Sequence, residues 1–147
     1  MKLESKEFNN NKSIPREFTC DGSGSAPELL VSHVPAGSKT LALIADDPDA
    51  PSGIFTHWIA WNIPVSAQNI DGKNLPKEMV QGMNSSGFAG WTPPCPPSGT
   101  HHYKFTIYAL DTEINIPPSA DKDSLLANMQ GHVIGKAMLT GLYSRQI

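Results

Sequence analysis

The sequence predicts a mainly β fold with helical structure confined to a segment near the C-terminus. Three observations predict it. Proline and glycine together make 25 of the 147 residues (13 Pro and 12 Gly), and helix interiors exclude both. Three stretches, 40–47, 57–63 and 103–110, have the length and alternation of strands. Only the region after Pro118 repeats its apolar residues at helical spacing.

Residues 1–28 are polar and interrupted by Pro15, Gly22, Gly24 and Pro27, which reads as a strand start followed by loops. Leu29 to Val34 is a short strand that stops at Pro35. Thr40 to Asp47 is the strongest strand: Leu41, Leu43 and Ala45 share one face, and Ala42 and Ile44 the other. Apolar residues on both faces place it centrally in a sheet. In His57 to Ile63, Ile59, Trp61 and Ile63 lie opposite Trp58 and Ala60. Residues 64–99 are irregular, with a weak strand signal near Val80. In Tyr103 to Leu110, Tyr103, Phe105 and Ile107 lie opposite Lys104, Thr106 and Tyr108. Pro117-Pro118-Ser119 and Asp121 signal a helix start, after which Leu125, Met129, Val133 and Ala137 recur every four residues. Gly131 and Gly135 predict a break and so two short helices. Leu139 to Arg145 fits a last helical turn or a closing strand equally well.

The length predicts one domain spanning 1–147, large enough to bury about two-thirds of its unfolded surface without a metal or disulfide scaffold. Eleven Lys and Arg against 14 Asp and Glu give a net charge of −3, and the basic residues are scattered. That argues against nucleic acid and anionic membrane surfaces as ligands. No apolar run approaches the ~18 residues of a membrane span, and the start MKLESKEFNNN lacks an apolar leader core. A cytoplasmic protein without integral membrane association is expected. Cys20 and Cys95 lack metal-ligand spacing, and no metal or cofactor is expected. A disulfide between them is compatible with two loops meeting at one rim, while a reducing cytoplasm argues against it. The apolar segment 137–143 is a candidate homodimer surface.

Residues with chemical reach collect at strand ends. Asp47 closes the first strong strand, His57 opens the second, and His101 and Tyr103 open the third. Antiparallel pairing of the first two would set Asp47 beside His57 at one sheet edge. The adjoining loops are stiff: Asp47-Pro48-Asp49-Ala50-Pro51 fixes φ at two positions and Pro93-Pro94-Cys95-Pro96-Pro97 at four. Such loops lose little entropy when held as a pocket wall.

These motifs, together with Gly99 and His101-His102-Tyr103, resemble the signatures of the phosphatidylethanolamine-binding protein family. Thr19-Cys20-Asp21-Gly22 and Gly131-His132-Val133 are similar to its bacterial and archaeal branch. The resemblance covers essentially the whole chain. It implies a β-sandwich with a large central antiparallel sheet and short helices, carrying a small anion pocket for phosphate-type groups, phosphorylated headgroups included. It also implies binding or inhibitory roles, with a kinase or protease as a candidate target. On this resemblance Asp47, His57, Pro96, His101 and Tyr103 line the pocket, and Asp49 and Pro51 form the loop beneath. Cys95, Pro97 and Trp91 shape its wall. The chain departs from the family at His102, where many relatives have arginine, and in lacking the extended C-terminal helix of the animal members.

The residue types suit an oxyanion site, since imidazole N–H and phenol O–H are donors and phosphate offers several acceptors. Asp47 beside His57 would favour the imidazolium, so binding is expected to weaken as pH rises through the histidine range. Three readings follow: a non-enzymatic binding protein for a small anion, an inhibitor of a protease or kinase, and, least favoured, a hydrolase using Asp47, His101 and Cys95. Ordinary roles compete at each position. Asp47 can cap a turn, Asp49 can bond its own loop backbone, and His33, His102 and His132 can be structural or solvated.

Overall fold

The computed structural model describes residues 1–145. In chain order its elements are β1 (Lys2–Glu4), β2 (Lys12–Ser13), a 3-10 turn at Arg16–Phe18, β3 (Leu29–Ser32), β4 (Thr40–Asp47), β5 (Phe55–Pro64), β6 (Asn69–Ile70), β7 (Val80–Gln81), β8 (His101–Leu110), α1 (Lys122–Met129) and β9 (Val133–Tyr143). Six strands form a large sheet in the order β2-β9-β8-β4-β5-β7, and three form a small sheet in the order β1-β3-β6. The large sheet was expected to be antiparallel, and its β9-β8-β4-β5-β7 part is. The whole sheet is mixed, because β2 joins β9 in parallel at one edge.

Strand β4 lies between β5 and β8, and alternation decides what each of its faces meets. Leu41, Leu43 and Ala45 join Trp58, Ala60, Phe105 and Ile107 in a core shared with Leu3, Leu29, Val31 and Ile70 of the small sheet. Ala42 and Ile44 join Ile59, Trp61 and Leu110 on the opposite face, where Leu125 and Met129 of α1 cover them. Burying each such aliphatic side chain stabilises the fold by about 1.5–3 kcal/mol, so a strand covered on both faces is a rigid base for its ends.

Helix α1 begins where the sequence indicates: the Asp121 carboxylate accepts the Ser124 N–H at 3.0 Å. It ends at Gln130, and Gly131 follows at φ 82°, a left-handed conformation that glycine adopts without strain. The second short helix expected beyond Gly131 does not form. Val133 and Ala137 belong to β9, where Ala137 and Leu139 pair with Ile107 and Phe105 and pack against the core at a period of two. The spacing of four fused the end of a helix with the start of a strand, since every second two-residue repeat of a strand is also a four-residue repeat. The closing strand is thus the correct alternative for 139–143. Leu139 is buried, and Met138 just before it is exposed. No helix among the described residues is long and apolar enough to cross a membrane.

Candidate functional site

The ends of β4, β5 and β8 converge on one cavity of about 270 Å³. A register shift in β5 makes the convergence possible. Ala45 pairs with Trp58 and Asp46 with Thr56, which leaves His57 as an extra residue without a partner on β4. Strict alternation would put His57 on the face of Ile59 and Trp61, beneath α1. The bulge instead carries it to the face of Trp58, where its ring lies 5.2 Å from that of Tyr103 and 6.2 Å from that of Trp91. The backbone freed by the bulge is satisfied by Thr92, whose N–H donates to the His57 carbonyl at 2.9 Å. The imidazole returns the bond, Nδ1 donating to the Thr92 carbonyl at 2.7 Å.

Asp47 does not pair with His57, as the simple hairpin argument expects. Its Oδ2 accepts from Nδ1 of His101 at 2.6 Å, and both side chains are buried. Its Oδ1 accepts the Asp49 N–H at 2.8 Å, closing the turn that starts the proline loop. Asp47 therefore performs the turn-capping role and the histidine-orienting role together. The opposite residue on β5 is Phe55, so the carboxylate meets β8 and not the imidazole of β5.

The pKa of His57 shifts in the direction opposite to the expected one. Burial is the largest influence and lowers its pKa; the Thr92 carbonyl and Asp47 oppose it, and His101 reinforces it. Burial, followed by the Asp47 charge, pushes the Tyr103 phenol well above its ordinary range, which keeps the hydroxyl protonated and able to donate.

Asp47, His57, Pro96, His101 and Tyr103 all line the cavity, as do Pro51, Cys95 and Pro97. Asp49 and Trp91 are not among the lining residues and stand behind the wall. Asp49 stands outside, where Oδ2 accepts from the His102 backbone N–H at 2.8 Å and from its Nδ1 at 2.7 Å. The His102 hydrogen bond is the main reason the Asp49 carboxyl lies below the usual range. It clamps the proline loop to β8 rather than bonding only its own backbone. Trp91 packs behind the wall, its ring 5.9 Å from Phe105, with Nε1 donating to the Gly24 carbonyl.

Ala50, Phe55, Ser86, Thr92 and Pro93 also line the cavity, and the residue reading missed them. Ala50 and Pro93 lie within the two proline motifs, and Phe55 lies two residues before His57. Ser86 and Thr92, whose hydroxyls hydrogen-bond at 3.0 Å, come from the irregular 64–99 region, which carries no local signal.

Cys95 is joined to Cys20 by a disulfide with Cα atoms 5.4 Å apart. Beside it the Cys20 N–H donates to the Pro94 carbonyl at 3.0 Å. The bond ties the proline loop to the segment after the 3-10 turn and removes the thiol that a hydrolase would need. Among the described residues no cluster of His, Cys, Asp and Glu is arranged to hold a metal ion.

A large sheet backed by a smaller one, with two histidines and a buried aspartate at the strand ends, defines a β-sandwich with a small polar cavity at its rim. The chain belongs to the phosphatidylethanolamine-binding protein family, whose model matches residues 4–144. A UPF0098 protein of the archaeon Methanothermobacter thermautotrophicus is 47% identical over 150 residues, covering 99% of both chains. Among solved structures, a phosphatidylethanolamine-binding protein homolog from Chlamydia trachomatis superposes with TM-score 0.94 at 38% identity, covering 99% of this chain and 97% of that one. Escherichia coli YbcL, described as a member of the mammalian family, superposes with TM-score 0.91 at 30% identity, covering 99% of this chain and 98% of that one.

Proposed function

We propose that the protein acts by binding a small phosphate-type group, borne on a headgroup or free, in the cavity between His57 and His101. The observation that carries this reading is the buried Asp47–His101 pair facing His57 and Tyr103 across one solvent-open cavity. A volume of about 270 Å³ suits a phosphate with a short substituent and is below the roughly 300–1,000 Å³ of pockets for drug-sized ligands. Tyr103 and the Ser86 hydroxyl, which accepts from Thr92, offer donors, and the rigid proline walls reduce the entropy lost on binding. Binding without chemistry is favoured because the cysteine sulfur at the wall is held in the disulfide. Membership of a phosphatidylethanolamine-binding family supports the same ligand class.

Titration calorimetry with methyl phosphate tests the assignment. His101→Ala and His57→Ala should each weaken binding about tenfold, the equivalent of about one hydrogen bond to an ionised ligand. An unchanged dissociation constant in both variants would overturn it.

A further inference from the structure

Strand β9 pairs with β8 along its whole length, from Val133 to Tyr143, but on its other side β2 meets only Gly141 and Leu142. Just before that short pairing, the Asn11 N–H donates to the Thr140 carbonyl at 2.7 Å. The Thr140 N–H donates to Asn10 Oδ1 at 2.9 Å. Both main-chain groups of Thr140 therefore point away from β8. That direction alternates along an antiparallel strand, so the N–H and C=O of Met138 and Lys136 point the same way. None of these four groups has a partner among the described residues. A groove of about 400 Å³ borders this free edge, with Met1, Leu3, Phe8 and Asn10 on its far side.

An unpaired strand edge can take another extended chain, whose main chain supplies affinity and whose alternate side chains supply selectivity. Here the alternate positions have a definite character. Ala137 and Leu139 pack into the core. Ile134, Lys136 and Met138 take the opposite face, where all three are exposed, Ile134 at 40% and Met138 at 46%. The Lys136 ammonium lies 6.0 Å from the Tyr108 ring centroid. Residues 133–143 contain no Asp or Glu, and Lys104 of β8 adds a second exposed cation on the same face. The one carboxylate of β4 that faces this side, Asp46, is held by Lys122 at 3.1 Å. The edge thus offers a cation between two apolar side chains. A second copy of β9 is a poor match for it. Every antiparallel register that uses Lys136 and Met138 sets the two lysines opposite or diagonal to one another, which is repulsive.

We infer that the free edge of β9 is an interaction surface for an extended segment of another protein, with alternate residues apolar, acidic and apolar. The carboxylate lies beside Lys136, and the apolar side chains lie beside Ile134 and Met138. Asn10 and Asn11 close the lane at Thr140 and fix where the added strand stops. The surface is separate from the cavity, since Lys136 pairs with Tyr108 toward the end of β8 away from His101.

The test is a proton–nitrogen NMR titration of the intact protein with the peptide acetyl-Thr-Val-Thr-Glu-Thr-Val-Thr-amide, whose pattern reads alike in both strand directions. Saturable shifts should centre on the Lys136 and Met138 amides, which should exchange with deuterium about tenfold or more slowly at saturation. Replacing the peptide glutamate by lysine should weaken binding about threefold or more, and Lys136→Glu should reverse the preference. Met138→Pro removes an outward N–H at an edge, where proline is tolerated. With its fold checked by a melting curve, it should weaken the glutamate peptide about threefold or more. No saturable shift at millimolar peptide, or shifts centred elsewhere, would overturn the inference. Equal affinity of wild type for the two peptides would refute the acidic partner. Shifts of the same amides that depend on protein concentration without peptide would make a second copy the occupant, and would also overturn it.

Discussion

Removing the Cys20–Cys95 disulfide should destabilise the fold and loosen the cavity wall at once. The two cysteines are 75 residues apart in sequence. A loop of that length restrains the unfolded chain by about 4.5 kcal/mol on the chain-entropy model, and measured losses for native disulfides run at about 2–5 kcal/mol. The local structure gives the bond a second role. Pro93, Pro94, Pro96 and Pro97 have no N–H to donate, so the wall has few backbone bonds besides the Cys20 N–H to the Pro94 carbonyl at 3.0 Å. Both cysteines are exposed, so a dithiol reductant can reach the sulfurs, taking its own disulfide form as the bond opens to two thiols. Urea unfolding should show about 2–4 kcal/mol less stability in Cys20→Ser with Cys95→Ser than in the oxidised protein. Reduced wild type should match the double variant, and methyl phosphate should bind both severalfold more weakly. A stability loss under about 1 kcal/mol would refute the loop-restraint argument. Unchanged affinity in a folded double variant would refute the wall's dependence on the bond.

Two further outcomes follow from the buried polar groups. Asp47→Asn leaves one amide to satisfy both His101 Nδ1 and the Asp49 N–H; it should cost about 1–3 kcal/mol in urea unfolding and weaken methyl phosphate binding, whereas wild-type stability would refute the orienting role. His57 titrates lower in the fold than its ordinary value of 6.5, so the unfolded chain binds more protons below that pH and stability should decline as pH falls from about 6.5. His57→Gln should flatten this decline in a series of melts, and an unaltered slope would show that the buried ring is not its source.

The central sheet was legible because burial on both faces leaves a strong mark. A run such as Leu41 to Ala45 has no other stable home, and β4 forms over the residues expected. The helix cap at Asp121 was legible for a similarly local reason. The fate of Val133 and Ala137 was not, because a four-residue recurrence serves helix and strand equally, and pairing with β8 decides between them. The site divides along the same line. Prolines and histidines marked most of the cavity, since those residue types are conspicuous at strand ends. The partner of Asp47 was misassigned because one bulged residue, His57, changes what lies beside the carboxylate, and no local pattern announces a bulge. Ser86 and Thr92 were invisible for want of any periodic context. The disulfide was left open by sequence because compartment and geometry pointed in opposite directions; the fold brings the two loops together.

The central claim is that His57 and His101 face a phosphate-type ligand through their Nε2 atoms. The chain has five histidines, so the imidazole resonances of His33, His102 and His132 serve as internal controls in an NMR titration with methyl phosphate. The account predicts saturable shifts of the His57 and His101 side-chain nitrogens, largest at Nε2, with the other three unmoved. Shifts spread evenly over all five rings, or confined to the exposed His102 and the half-buried His132, would contradict it.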